Sequence, residues 1–428
     1  MTITGLPPTR VAEILAGHLA DIPMGRFPTA AEPMVLPSKA YRALLAATRR
    51  LTELSCEVVR RLAPDQAGRM AALRVDPSEY RRTSPDEEFE LRHAGDVVRA
   101  DVVIGADGPR FIELNVGAGI GGVVQFEQQR RAWRSVRLEA GLPPLDGEDL
   151  FGLLAKLIKR YCAELSLPVG ALLIGTMHDP GMGGAVNDTQ IRLLGEHGVP
   201  ARFAELPGLL DEIRPGDRLG IIQFCEDEAA QLGWDVTPML TAIKDGLRTA
   251  PSESTRLVDS KKVLAWMSEG LPWMSREDRD LVQRFVPWSR VLGDRLVSWR
   301  GDAYELPRLL VEQREHFVLK GAAGLSSREV FFGASTEPEE WAQLVEAAVG
   351  SEYYVAQELV TPVRRPVPVM LDESGRTDIV IANPVISPFC VGGVPTGCLM
   401  RFDTATGPGA VTVKSGAMLG CLLGDTTR

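Results

Sequence analysis

The 428-residue chain is poor in the residues that most often announce a function. Its six cysteines, at positions 56, 162, 225, 390, 398 and 421, show no Cys-x-x-Cys spacing and no framework density. That excludes a zinc ribbon and a stapled secreted scaffold, and it fits a reduced, cytosolic setting. The five histidines (His18, His93, His178, His197, His316) form no His-Glu-x-x-His motif, and Gly-x-Ser-x-Gly is absent, so metal hydrolysis and an elbow nucleophile are set aside. No apolar run approaches the ~18 residues of a membrane span. The start, MTITGLPPTR, lacks a charged segment followed by an apolar one; the expectation is a cytoplasmic protein, neither exported nor membrane-spanning. Lys and Arg are scattered and the formal charge is -10, so no basic stripe offers a nucleic-acid footprint. Internal repeats and low-complexity tracts are also missing.

With 45% hydrophobic residues, a chain of this length can build more than one core, and about two or three domains are expected. Residues 37–63 place Leu44, Leu51, Leu54, Val58 and Leu62 at helical spacing with arginines opposite, which predicts one amphipathic helix. From 89 to 116 the pattern predicts short strands, FELRH, VVRADVVIG and RFIELNV. Between 148 and 250, strands GALLIG, ARFAEL and RLGIIQF alternate with helices, which predicts a parallel, doubly wound unit. After Asp259 the expected order is a helix (SKKVLAWMSEG), a helical stretch rich in Trp and Arg, and strands HFVLKG, REVFFG and YYVAQELV. A strand-and-glycine tail follows. The fold class is α/β (α+β).

Function is carried by polar residues at strand ends. Glu113 and Asn115 lie two apart in FIELNVGAGIGG and so share one strand face, with Ile112, Leu114 and Val116 on the other. Asp101 sits on the preceding strand, across the turn Gly105-Ala106-Asp107-Gly108-Pro109. Two carboxylates and an amide oxygen are hard ligands suited to Mg2+ bound with phosphate. Lys320 ends an apolar strand and is followed by Gly321, Gly324, Ser326 and Ser327, whose amides and hydroxyls could cradle phosphate; an ordinary hairpin is the plainer reading. Lys261 and Lys262 stand at a helix start, where one can face inward and the other be solvated. Gln357, Glu358, Leu359 and Val360 end a strand and could present a hinge to an adenine edge; a buried strand end is the plainer reading.

Together these elements resemble the ATP-grasp superfamily, and their order, with the metal set ahead of the lysines, resembles its circularly permuted branch, similar to glutathionylspermidine synthetase. The resemblance spans residues 90–415. It implies an N-terminal helical, substrate-side segment (1–88), a first part of the ATP-grasp domain with the metal strands (89–147), an inserted Rossmann-like pre-ATP-grasp domain (148–255) and a second part with lysines, lid and hinge (256–428). It implies ATP and one or two Mg2+ ions, with Mn2+ as a substitute, held by Asp101, Glu113 and Asn115. Lys261 and Lys320 would take the phosphates, Gly321, Gly324, Ser326 and Ser327 the lid, and Gln357 to Val360 the adenine. Arg99 would steady an acyl phosphate; Arg401 is a further phosphate or substrate candidate, equally readable as a surface arginine. The implied activity is small-molecule carboxylate–amine ligation releasing ADP and phosphate, on an amino acid or peptide. Base rates alone admit a homodimer. Two rivals remain: an ATP-binding protein without ligase activity, and an NAD(P)-dependent oxidoreductase using Gly117, Gly119 and Gly122 as GxGxxG, with Glu139 as the ribose acid.

Overall fold

The computed structural model describes residues 5–22, 27–82, 84, 86–177, 184–323, 329–407, 409–412 and 416–426. Gly324, Ser326 and Ser327 of the expected lid lie outside the described residues, as does His178.

Alternation along the strand Val97–Gly105 divides the molecule into a packed side and a chemical side. Val98, Ala100 and Val102 enter a core with Tyr41, Leu44, Leu51, Leu54 and Val58 of the 25-residue helix Ser38–Leu62, whose arginines stay outside. Arg99 and Asp101 point to the opposite face. The antiparallel partner strand, Gly108–Val116, brings Glu113 opposite Asp101 and Asn115 opposite Arg99, but its register slips at Asp101/Val102, where Val102 pairs with Phe111. Ile112 is therefore the extra residue of a bulge. Phe111, Leu114 and Val116 join the core and Ile112 does not, which corrects the simple alternation expected for Ile112.

This hairpin is one edge of an eight-stranded sheet that continues through Thr377–Val391, Val394–Asp403 and Met418–Gly424. Two short N-terminal strands, Thr29–Ala30 and Met34–Leu36, pair parallel with Met418–Gly424. The first 88 residues are thus stitched into the large sheet by these strands and laid across it by the long helix.

The second sheet is parallel, in the order Ala201–Glu205, Ala171–Gly175, Leu219–Ile222, Arg248–Ala250. Its central strands, Ala171–Gly175 and Leu219–Ile222, are apolar on both faces and feed two separate cores, as strands flanked by helices must be. The third sheet is small and antiparallel: Val330–Phe332, Phe317–Gly321, Tyr354–Glu358, Ser289–Val291. Phe317, Leu319 and Ala356 pack beneath it on Leu306, Leu309, Trp341 and Val345, which leaves Lys320 on the other face.

Two local expectations fail. FELRH is not a strand but part of the helix Glu87–Arg92, because Asp86 caps it by accepting the Phe89 amide at 3.0 Å and three glutamates sit in its first turn, where a helix favours acids. The stretch rich in Trp and Arg is helical only over Arg276–Phe285; Ser289–Val291, Leu296–Trp299 and Asp302–Glu305 are strands. No helix among the described residues is long and apolar enough to cross a membrane, and all six cysteines are free.

Candidate nucleotide and acyl-transfer site

The edge of the large sheet meets the lysines. Lys261, at the first turn of the helix Lys261–Glu269, is buried and its Nζ lies 3.0 Å from Glu113 Oε1. Burial pulls the lysine's pKa down, but Glu113 and Asp259 outweigh it and hold the ammonium charged. Asp259, two residues before Lys261, accepts the Val116 amide at 2.7 Å, which fastens the end of the Glu113/Asn115 strand to the start of the lysine helix. Lys262 turns the other way. It is buried rather than solvated, contrary to the expectation for one of the pair, and donates to the Leu73 carbonyl at 2.9 Å.

Lys320 comes in from the small sheet. Its Nζ donates to Gln357 Oε1 at 2.8 Å and to the Ile112 carbonyl at 3.0 Å, the group that the bulge withdraws from the ladder. Burial pushes its pKa down to about 8, against the pull of Glu113. Gln357 in turn donates to Ser289 Oγ at 3.2 Å, so the first hinge residue serves the lysine through its side chain. The amides of Glu358 and Leu359 are engaged by the carbonyls of Trp288 and His316, and Glu358 pairs with Arg300 at 3.0 Å. Beside Glu358, Leu359 and Val360 opens a cavity of about 670 Å3, bounded by Trp288 and the turn at Gly105.

Behind Glu113 stands an arginine pair. Arg401 is buried, not a surface residue: its Nη2 meets Asp101 Oδ1 at 2.6 Å and Ser387 Oγ at 3.3 Å. Ser387 donates to the same Asp101 oxygen at 2.9 Å, and Arg99 Nε lies 3.5 Å from it. Burial would raise the Asp101 pKa, but Arg401 and Arg99 hold the carboxyl well below its usual range. Arg401 Nε has no hydrogen-bond partner among the described residues. Asn115 Nδ2 donates to the Arg99 carbonyl at 3.0 Å, which turns its amide oxygen away from that bond.

The three expected metal ligands are therefore not equivalent. Among the described residues no group of three His, Cys, Asp or Glu stands together as a metal site. Asp101 is committed to guanidinium groups, whereas Glu113 and the Asn115 oxygen are hard donors two apart on one strand face. Such a pair fits Mg2+, which takes one or two protein ligands and shares the rest of its shell with phosphate and water.

The glycines after Val116 answer to packing. Gly117 has φ +115, and a Cβ there would stand 2.4 Å from Thr255 Oγ1; Gly119 has φ +73, with a Cβ position 3.1 Å from the Cys225 amide nitrogen. The loop is pressed against the carboxyl ends of the parallel strands, the usual ligand edge of such a sheet, and Arg99 Nη1 donates to the Gly121 carbonyl at 2.9 Å. The dinucleotide reading fails here. The strand before the glycines is antiparallel to its neighbour, and Glu139 ends the helix Val123–Glu139, bonded to Arg10, with no second strand.

Asp259, Ser387 and Gln357's true role escaped the sequence reading. Asp259 had one signal, an acid two residues ahead of the lysine; Ser387, in the middle of an apolar strand, had none.

A small antiparallel sheet carrying a lysine is thus set against the edge of a larger one carrying a carboxylate and an amide, with a parallel sheet alongside. Among solved structures the chain is similar to a glutathione synthetase-like effector from Globodera pallida in its apo form. That match covers 98% of this chain and 98% of the other, with a TM-score of 0.57 and 12% identity. A proposed γ-glutamylcysteine synthetase from Methylobacillus flagellatus KT matches over 78% of this chain and 84% of its own, with a TM-score of 0.40 and 11% identity. The first of these likenesses shows a shared fold. No protein-family model and no curated protein sequence matches the chain.

Proposed function

We propose that the protein is an ATP-dependent carboxylate–amine ligase that forms an amide or peptide bond on small molecules. The observation that carries this is the meeting of Lys261, Lys320, Glu113 and the Arg99–Asp101–Arg401 network at one seam, from segments far apart in sequence. Full-length likeness to a glutathione synthetase-like fold supports it.

In this reading a substrate carboxylate oxygen attacks the γ-phosphorus of ATP and ADP leaves. The amine nitrogen then attacks the acyl carbon, phosphate leaves and the nitrogen loses a proton. Catalysis of this kind is chiefly positioning and charge neutralisation. Lys261 and Lys320 take phosphate oxygens. Glu113 and Asn115 would hold Mg2+, which would supply positive charge to the phosphates. Asp101, assigned by its sequence pattern to the metal, instead presents Arg99 and Arg401, and those arginines receive the charge of the acyl phosphate. The hinge at Glu358 to Val360, next to the 670 Å3 cavity, takes the base, and the carboxyl edge of the parallel sheet takes the substrate's far end. Residues 89–147 and 256–428 form the two parts of a permuted ATP-grasp domain around the inserted parallel domain, 148–255, with 1–88 on the substrate side.

The test is ADP release over a panel of amino acids and small carboxylates, with mass spectrometry of the products. A product heavier than its acid and amine together less water, or no ADP with any pair, rejects the reading. Glu113→Ala is expected to lower turnover by about 100-fold or more, the scale of losing a group that stabilises a transition state.

A further inference from the structure

Away from Arg99 and Asp101, on the other face of the large sheet, lies a cavity of about 600 Å3. Cys390 in its wall pairs with Val98 and packs with it in the core under the helix Ser38–Leu62, so the sheet separates this cavity from the seam. In a chain of formal charge -10, six arginines line it: Arg49, Arg50, Arg60 and Arg61 from that helix, Arg92, and Arg160 from the helix Leu150–Glu164. We propose that this cavity is a second ligand site, which takes a compact multivalent oxyanion of small-molecule size.

The five carboxylates in its lining are already engaged. Glu53 accepts from Arg49 at 2.8 Å and from Arg50 at 3.0 Å, and Glu57 accepts from Arg61 at 2.5 Å and from Arg60 at 3.0 Å. Asp278 takes two nitrogens of Arg50, at 2.7 and 2.9 Å. Asp96 and Glu164 hold the buried His93 ring from both sides, 2.6 Å from Nδ1 and 2.8 Å from Nε2, and Asp96 also accepts from Arg160 at 2.7 Å. An imidazole that faces a carboxylate at each nitrogen carries both protons and a positive charge. Burial opposes that charge, but Asp96 and Glu164 outweigh it.

The arginines keep donors in hand. Arg49 and Arg61 bond to their acids through Nε alone among the described residues, so the two terminal nitrogens of each form an open fork. Such forks match the paired oxygens of a carboxylate or a phosphate. Both side chains are about half exposed, and the Arg61 guanidinium stacks over Trp273 at 4.9 Å, which steadies it. Leu54, Leu91 and Cys390 give the lining an apolar part, and low-dielectric walls focus the field of the cations. The volume suits a small molecule.

Calorimetry without Mg2+, in about 0.15 M NaCl to screen loose surface attraction, tests this with citrate and inorganic pyrophosphate as probes. Wild type is expected to bind at least one of them at about 1 mM or tighter and to gain a higher thermal midpoint; the tighter of the two tells carboxylate from phosphate recognition. Arg49→Gln/Arg61→Gln is expected to weaken that binding by about tenfold or more, whereas Lys261→Met, at the seam, keeps it. Binding of neither probe to wild type overturns the proposal, as does equal binding by the arginine double variant, or binding lost only in Lys261→Met. Phenylglyoxal labelling of wild type, read by mass spectrometry, needs no substitution. Bound probe should slow modification of Arg49 and Arg61, and labelling unaffected by saturating probe also overturns the assignment.

Discussion

Lys261 and Lys262 are adjacent, equally buried and chemically identical, yet they do different work because a helix sends neighbouring side chains about 100° apart. Lys262 completes a buried carbonyl at Leu73, so Lys262→Met is expected to lower stability by about 1–3 kcal/mol while leaving the KM for ATP near wild type. Lys261→Met should do the reverse, and urea midpoints beside kinetics separate the two. Lys320 adds a pH limb. A lysine is charged below its pKa, and burial has brought this one down to about 8, so kcat/KM for ATP should fall as pH rises through about 8. A profile flat to pH ~10, where an unperturbed lysine titrates, contradicts that role.

At the scale of elements, the seam is held by short bonds between segments that never neighbour one another in sequence. The Lys261 amide donates to the Ala322 carbonyl at 2.9 Å and the Ala322 amide to the Tyr353 carbonyl at 3.0 Å, so the base of the expected lid is tied to both the lysine helix and the small sheet. The glycine loop joins the hairpin of Val97–Gly105 and Gly108–Val116 to the parallel sheet by the same close approach. Gly117→Ala would force a Cβ onto Thr255 at a φ of +115, with an expected cost of about 2 kcal/mol or more, read as a lower thermal midpoint together with reduced turnover. Loss of neither would show that the loop yields freely. The bulge at Ile112 is an equally local device: one extra residue re-aims Glu113 and gives Lys320 a carbonyl.

Across the whole molecule, buried charge lies at the seam of Lys261, Glu113 and Asp101 and also away from it, as at Glu127, Asp96 and Glu253. Glu253, after the last parallel strand, is fully buried; burial pushes its pKa from 4.5 up to about 7, with Arg82 opposing. Its carboxyl therefore binds a proton more readily folded than unfolded, and the stability this contributes is present below pH 4.5 and is lost as pH rises through about 7. Denaturant midpoints measured across that window should decline with pH, and Glu253→Gln should flatten the slope; an unchanged slope removes Glu253 as its source.

The alternation of helices and strands over 148–250, the strand with Glu113 and Asn115, and the helix opened by Lys261 were legible in the chain because each is set by local periodicity. The helix at Glu87–Arg92 was misread although its cap and acids were visible, since a six-residue element shows too little period to overrule β-prone neighbours. What the sequence by itself determined was the inventory: which strands carry oxygen ligands, which carry cations, and that one face of each must be apolar. Tertiary structure alone decided the partners. A carboxylate is the same to a metal as to a guanidinium until the chain folds, and only the arrival of Ser387 and Arg401 from distant strands gives Asp101 to the arginines and leaves Glu113 with Lys261. Coulomb attraction depends on separations in space, and for residues nearly three hundred positions apart no local pattern records them.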